Sequence, residues 1–300
     1  MKEAIKSFKK YSGQRKCFTI FNYILLISLA LICLLPMINI LAISLSSSAV
    51  VSSGEVRFWP VDFTWESYNF VIEKPEFMTA FWVSVKRVLI GVPLNMLLTI
   101  LTAYPLSRTN KQFRGRTAYT WYFFITLLLS GGLVPYYMTI LKVGLIDNFW
   151  ALILPGAVPV YNVIILMNFF RQLPSEIEEA AIVDGASHLQ ILFRVLVPLS
   201  KPSIATLTLF CIVNHWNSWF EGLLLMNNPV NYPLQSYLQT VVVNRDMSLM
   251  STSDILTLSM VSDRTSKAAQ TFVAALPVLI IYPFLQRYFT KGIVLGGVKG

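Results

Sequence analysis

Arg171-Gln172-Leu173-Pro174-Ser175-Glu176-Ile177-Glu178-Glu179-Ala180-Ala181-Ile182-Val183-Asp184-Gly185 runs on into Ala186-Ser187-His188-Leu189-Gln190-Ile191-Leu192-Phe193-Arg194-Val195-Leu196-Val197-Pro198. Ser175 with Glu178 three residues later is a capping-box pattern, and Glu176, Glu178 and Glu179 suit the positive end of a helix dipole. A helix therefore starts at about Ser175. Ala180 and Ala181 keep its surface shallow, Gly185 permits a sharp reversal, and Ile191, Leu192 and Val195 resume an apolar face. Four acids between Glu176 and Asp184 keep this helix out of hydrocarbon. The stretch reads as a helix-turn-helix knob against water or protein, with small residues that let a partner approach the backbone.

The surroundings of the knob are far more apolar. Of 300 residues, 55% are hydrophobic and 13% charged, too few charges for an ordinary soluble domain. About 20 apolar residues cross the roughly 30 Å hydrocarbon core. Five uncharged runs qualify, at 18–45, 88–106, 119–141, 150–170 and 268–285, and a sixth, 204–226, carries only His215 and Glu221. The expected fold class is an all-α membrane protein with six transmembrane helices. The first run follows Lys2, Lys6, Lys9, Lys10, Arg15 and Lys16, but it is longer than the core of a secretory signal and ends at Ser46-Ser47-Ser48 without a good cleavage context. It is read as a retained span.

Orientation follows from Lys and Arg, which concentrate on the cytoplasmic face. With the amino terminus inside, that face holds the six basic residues of the 1–17 segment, then Arg108, Lys111, Arg114 and Arg116, then Arg171, Arg194 and Lys201 in the 171–201 loop, and finally Arg287, Lys291 and Lys299. Both termini, including the 291–300 tail, are therefore expected in the cytoplasm. The net charge of +9 is a topology signal that also meets anionic lipid, and it calls for no nucleic-acid partner. Lys86 and Arg87 fall at the expected outer end of the second span; if they instead face the pathway, they favour an anionic solute.

Polar groups at membrane depth are costly unless paired, so those inside spans mark cavities or helix contacts. Asn214, His215, Trp216, Asn217, Trp219 and Glu221 place donors, acceptors and aromatic faces on the fifth span, a mixture suited to sugar rings and hydroxyls. At 100° per residue Asn214, Asn217 and Glu221 fall near one stripe and His215 and Trp219 near another. Interhelical hydrogen bonding and substrate contact both remain open for them. Pro93 with Asn95, Pro135, Pro155, Pro159 with Asn162, Pro277 and Pro283 mark kinks or cavity linings. Trp59, Trp65 and Tyr68 in the 46–78 loop suit a headgroup belt. The 227–267 segment, with Ser and Thr from Ser248 to Ser253, reads equally as a cap over the outer mouth or as a connector. Cys17, Cys33 and Cys211 have no paired spacing, so neither a disulfide framework nor a metal site is expected.

Glu179-Ala180-Ala181, three residues, Gly185, nine residues and Val195-Leu196-Val197-Pro198 resemble the EAA loop of ABC importer permeases, Glu-Ala-Ala-x3-Gly-x9-Ile-x-Leu-Pro, with Val195 and Val197 in place of Ile and Leu. Trp216-Asn217-Ser218-Trp219-Phe220, Asn231-Tyr232-Pro233-Leu234 and the 291–300 tail are similar to the maltose-type second permease subunit of carbohydrate importers. Within that group the chain resembles the branch for complex or acidic oligosaccharides, alginate-type importers included, which works with lipoprotein binding partners.

The resemblance implies a type I importer permease with cytoplasmic coupling helices in a multi-pass bacterial plasma or inner membrane. It implies a second homologous permease, two ATP-binding subunits that hold ATP and Mg, an extracytoplasmic solute-binding protein, and a sugar substrate. Glu179, Ala180, Ala181, Asp184, Gly185 and Pro198 become the ATPase-coupling residues, with Glu179 a polar contact, the alanines for close approach, Gly185 the turn, and Pro198 ending the second short helix. The chain contains no Gly-x4-Gly-Lys-Ser/Thr phosphate cradle and no catalytic or metal constellation, so no enzyme and no bound cofactor is expected. The rival class, a secondary transporter driven by an ion gradient, usually needs intramembrane ionisable groups, and Glu221 is the only acid inside an expected span.

Overall fold

The computed structural model describes residues 12–243 and 263–296, with side chains over 12–241 and 264–284. Lys2, Lys6, Lys9 and Lys10, the run Ser248 to Ser253, and Lys299 with the end of the 291–300 tail lie outside the described residues. The helices are α1 (Gly13–Ser44), α2 (Ser48–Ser53), α3 (Glu66–Glu73), α4 (Pro75–Ser107), α5 (Arg116–Leu128), α6 (Leu133–Lys142), α7 (Val160–Gln172) and α8 (Ser175–Val183). They continue with α9 (His188–Leu199, with a π-helical middle), α10 (Lys201–Asn217), α11 (Phe220–Leu225), α12 (Leu234–Leu238) and α13 (Asp263–Gly296). Among the described residues the only β pairing is the isolated bridge Ser46–Phe63.

Among the described residues three helices are long and apolar enough to cross a membrane, Gly13–Ser44, Pro75–Ser107 and Arg264–Phe284. Three bent pairs have the length and composition if each counts as one span: α5 with α6 at 114°, the turns Phe149–Gly156 with α7 at 43°, and α9 with α10 at 85°. The candidates thus number three to six.

The chain forms two compact units, residues 1–73 with 250–273, and residues 74–249 with 274–300. In the first, α1 exposes its apolar side chains along nearly its whole length and buries only Ala42, Ile43 and Ser44. Its end is pinned by hydrogen bonds from Thr64 N to Leu45 O and from Ser47 N to Asp62 O. Trp59 and Trp65 are exposed, while the Tyr68 hydroxyl meets Ser44 Oγ at 2.8 Å.

The second unit is organised by α4, which packs along both α10 and α7. Met96, Ile100 and Ala103 of α4 meet Leu166 and Phe170 of α7, Leu207 of α10, and Ile191, Leu192 and Leu196 of α9 in one buried cluster. Ala103 is fully buried, and small residues at such positions let helix backbones approach. A second cluster joins Ile140 of α6 to Ala151, Leu152 and Ile153 and to Leu225 and Met226.

Several expected continuities are interrupted. The run 119–141 breaks between Leu128 and Leu133, where Gly132 takes φ +86°; such a value suits glycine alone at little cost. The run 150–170 opens as two 3-10 turns before α7. The run 204–226 breaks at Ser218 and Trp219. The helix of the second expected span, α4, starts at Pro75, so Lys86 and Arg87 lie well inside it rather than at its outer end. α4 runs through Pro93 and Pro105, and α13 through Pro277 and Pro283, without a break in the helix.

Candidate functional site

Two places collect the residues singled out by the sequence. The first is the knob. α8 begins at Ser175 behind an extended Pro174 N-cap with no side-chain cap. The expected box with Glu178 does not form, because Pro174 holds the capping position and Glu178 pairs with Arg108 instead. The capping box is at the next helix, where Ser187 Oγ accepts from Gln190 N and Gln190 Oε1 accepts from Ser187 N. Between the two helices Gly185 has φ +79°. Its N–H donates to Ile182 O at 2.9 Å and Ala186 N to Ala181 O at 3.0 Å, the pair of bonds that defines a Schellman stop.

The turn presents Glu179, Ala180, Asp184 and Gly185 to the exterior, together with exposed Ile182, Val183 and Leu189, whereas Ala181 turns inward against the core. Pro198 is exposed in the last turn of α9. That helix stops at Leu199, Ser200 breaks it, and α10 leaves at 85° with Pro202 in its first turn.

The second place is a cavity of about 440 Å3 among α4, α6, the turns at 149–156, α7, α10 and α11. Its polar wall holds Arg87, Asn95, Tyr136, Asn162, Asn214, His215 and Glu221, with Tyr161 and Phe210 adding ring faces. Arg87 is buried, and its Nε donates to Leu152 O at 3.1 Å, Nη1 to Ser218 O at 3.2 Å and Nη2 to Ser218 Oγ at 3.3 Å. Its guanidinium lies 3.8 Å from Glu221, which also accepts from Ser218 Oγ. One side chain of α4 thus ties together the 149–156 turns and the break between α10 and α11. Asn95 donates to Gly156 O at 2.8 Å and its Oδ1 faces His215 Nε2 at 2.8 Å. Because that oxygen can only accept, Nε2 carries a proton; Nδ1 is buried without a hydrogen-bond partner among the described residues.

Of the six residues expected on the pathway, Asn214, His215 and Glu221 line this cavity and the other three do not. Trp216 is an interhelical residue: its Nε1 donates to Ala274 O at 2.9 Å and its ring meets Phe81 edge-on. Asn217 and Trp219 are exposed. The expected stripe of Asn214, Asn217 and Glu221 assumed an unbroken helix, and the break at Ser218 removes that assumption. Arg87 entered the sequence reading only as a conditional pathway residue, while Tyr136, Tyr161 and Phe210 were missed; the Gly131-Gly132 pair was the signal that the third run breaks beside Tyr136.

The cavity wall constrains Gly91. A Cβ there would sit 2.6 Å from His215 Nε2 and 2.7 Å from Cε1, and the ring cannot retreat without breaking its bond to Asn95. Gly91→Ala is expected to lower stability by about 1–3 kcal/mol, the usual range for overpacking, read as a lower Tm of the solubilised protein; an unchanged Tm refutes this contact.

Residues 77–294 match the family model described as "Binding-protein-dependent transport system inner membrane component". Protein LplC of Bacillus subtilis (strain 168) is 36% identical over 95% of this chain and 96% of its own. The polygalacturonan/rhamnogalacturonan transport system permease protein YtcP of the same organism is 37% identical over 96% of this chain and all of its own. A solved chain from a bacterial ABC transporter involved in the import of the acidic polysaccharide alginate superposes with a TM-score of 0.87 at 32% identity, covering 93% of this chain and 99% of that one. The chain belongs to the family of binding-protein-dependent transport system inner membrane components, and is a permease component of a transporter rather than an enzyme.

Proposed function

We propose that the chain is one of two homologous permease subunits of an ATP-driven importer for acidic oligosaccharides in a bacterial plasma membrane. The observation that carries the sugar reading is the cavity, in which a guanidinium paired with Glu221, three asparagine amides and a histidine share the wall with aromatic rings. Such a set bonds sugar hydroxyls and stacks on ring faces. The names of the relatives YtcP and the alginate transporter point the same way.

In this reading six spans place both termini in the cytoplasm, and α1 gives its exposed apolar sides to lipid and to the second permease. The knob docks on a pair of ATPase subunits that hold ATP and Mg. Glu179 and Asp184 supply polar contacts, Ala180 lets the partner close on the backbone, and Ala181 seats the helix against its own core. ATP-driven movement of the knob rocks the attached helices between inward-open and outward-open states. A solute-binding protein, a lipoprotein as in the resembled branch, delivers the sugar outside.

Purification of a tagged chain from its native membrane in mild detergent tests this. A second permease and an ATPase are expected to co-purify with ATPase activity. Gly185→Pro forces φ to about −65° where the turn needs a positive value, so it is expected to abolish that activity while the protein still inserts. Glu179→Lys is expected to do the same through the docking face. A chain that purifies alone and moves solute down an ion gradient without ATP overturns the reading in favour of a secondary transporter.

A further inference from the structure

The knob is fastened to more of the protein than its own chain neighbours. Arg108 caps the C-terminal end of α4 and pairs with Glu178 of α8; both side chains are largely buried, at 12% and 15% exposure. The same guanidinium carbon stands 4.3 Å over the Tyr104 ring, and Nε donates to Tyr104 O at 3.4 Å. Tyr104 Oη meets His188 Nδ1 of α9 at 3.1 Å. Arg171, at the entry to the knob, donates to Leu106 O at 2.8 Å. The foot of α4 is therefore tied to the last turn of α7, to α8 and to the helix after the turn.

α4 leads directly to the cavity. Twenty residues, or about 30 Å of helix at 1.5 Å per residue, separate Ser107 from Arg87. Asn95 lies between them on the cavity wall. A stiff helix anchored at one end to a moving element and at the other to the site it must open is a lever, provided the anchor holds. Among the three ties Arg108–Glu178 is the only ion pair, and it sits on α8.

We propose that Arg108 is a positioning residue for energy coupling: by pairing with Glu178 it makes α8 and the foot of α4 one body, so that movement imposed on the knob reaches Arg87 and Asn95 through α4. The inference rests on the importer reading above, since it needs an external force on the knob. Without the pair, the knob still docks and the ATPases still turn over, but α8 slips relative to α4. The signature is hydrolysis without transport.

The complete complex, with its binding protein, is reconstituted in proteoliposomes, and ATP hydrolysis and uptake of a labelled oligogalacturonate are measured together. Arg108→Ala and Glu178→Ala are expected to keep the ATPase bound while lowering sugar moved per ATP by about tenfold or more, the scale of ordinary coupling energies. Arg108→Lys, which keeps the charge but not the fork, is expected to recover part of that ratio, and the exchange Arg108→Glu with Glu178→Arg to return it to within about threefold of the unaltered complex. A merely structural pair would lower assembly, uptake and hydrolysis together and leave their ratio unmoved.

A second measurement does not depend on the sugar. Spin labels on exposed Val183 of α8 and Leu101 of α4 are expected to keep one narrow distance with and without ATP, and Arg108→Ala to broaden it. If the alanine variant moves as much sugar per ATP as the unaltered complex, or the labels stay narrow without Arg108, the proposal is wrong while the importer reading stands. If Arg108→Ala does not assemble, Arg108→Lys decides, a lowered ratio of sugar to ATP in the assembled variant supporting the proposal and an unchanged ratio refuting it. If the unaltered chain binds no ATPase, the importer reading falls and takes this inference with it.

Discussion

Replacing Arg87 by alanine is expected to be among the most damaging single changes in the cavity wall, lowering uptake by at least about tenfold and stability by about 2–4 kcal/mol. The stability figure comes from the groups the side chain leaves behind. Leu152 O and Ser218 O are backbone carbonyls that accept from Arg87, and a buried acceptor stripped of its donor costs about 1–3 kcal/mol. The ion pair with Glu221 adds less, because that carboxylate is 38% exposed and screened from the cavity side. Loss of the bonds frees the break at Ser218 from the turns at 149–156, so the wall loses its shape as well as its cation. Arg87→Lys is expected to restore little, since one ammonium cannot reach acceptors set around a planar fork. Tm of the solubilised complex and uptake in proteoliposomes check both parts; a lysine variant with full uptake would show that charge alone matters.

Gly222→Ala is expected to do comparable harm by a different route. A Cβ at Gly222 would meet Ser236 Oγ at 2.0 Å, Pro233 Cδ at 2.7 Å and Ser236 Cβ at 2.9 Å. None of these can swing aside: Pro233 is a ring, and Ser236 is fully buried with its hydroxyl on Trp219 O at 2.7 Å. α11 and the start of α12 must then separate, straining the bond from Leu234 N to Ser84 Oγ that seats α12 on α4. The expected cost is at or above the usual overpacking range of about 1–3 kcal/mol, seen as a lower Tm and a lower yield of intact complex. Gly13→Ala, with nothing within 4 Å of the new carbon, is the control that should leave both unchanged. An equal Tm for the two variants would mean that α11 and α12 are not packed as described.

Most of the helical character of this chain was legible, and so was the knob. Glu176 to Gly185 reads correctly because its cues act over a few residues: acids at a helix start, a glycine at a left-handed stop, and small residues between them. Asn95 and Asn162 were rightly marked as cavity or kink positions, since an amide at membrane depth needs a partner whatever the fold. The capping box was placed one helix too early, because Ser175 and Ser187 carry the same local pattern and the ion pair that removes Glu178 from the first comes from Arg108, 70 residues away.

What the sequence by itself determined is the solvent preference of each segment and the places where the chain must turn, for both depend on transfer free energies and backbone sterics that each residue carries with it. What only the tertiary structure decided is where the 204–226 run breaks and which polar groups face one another. Hydropathy along 204–226 is blind to the break at Ser218, and Arg87 next to an apolar run looks like the end of a span. Its acceptors lie 65 and 131 residues away, and a buried guanidinium is tolerated only where such partners converge on it, a condition set by packing and absent from any local stretch of sequence.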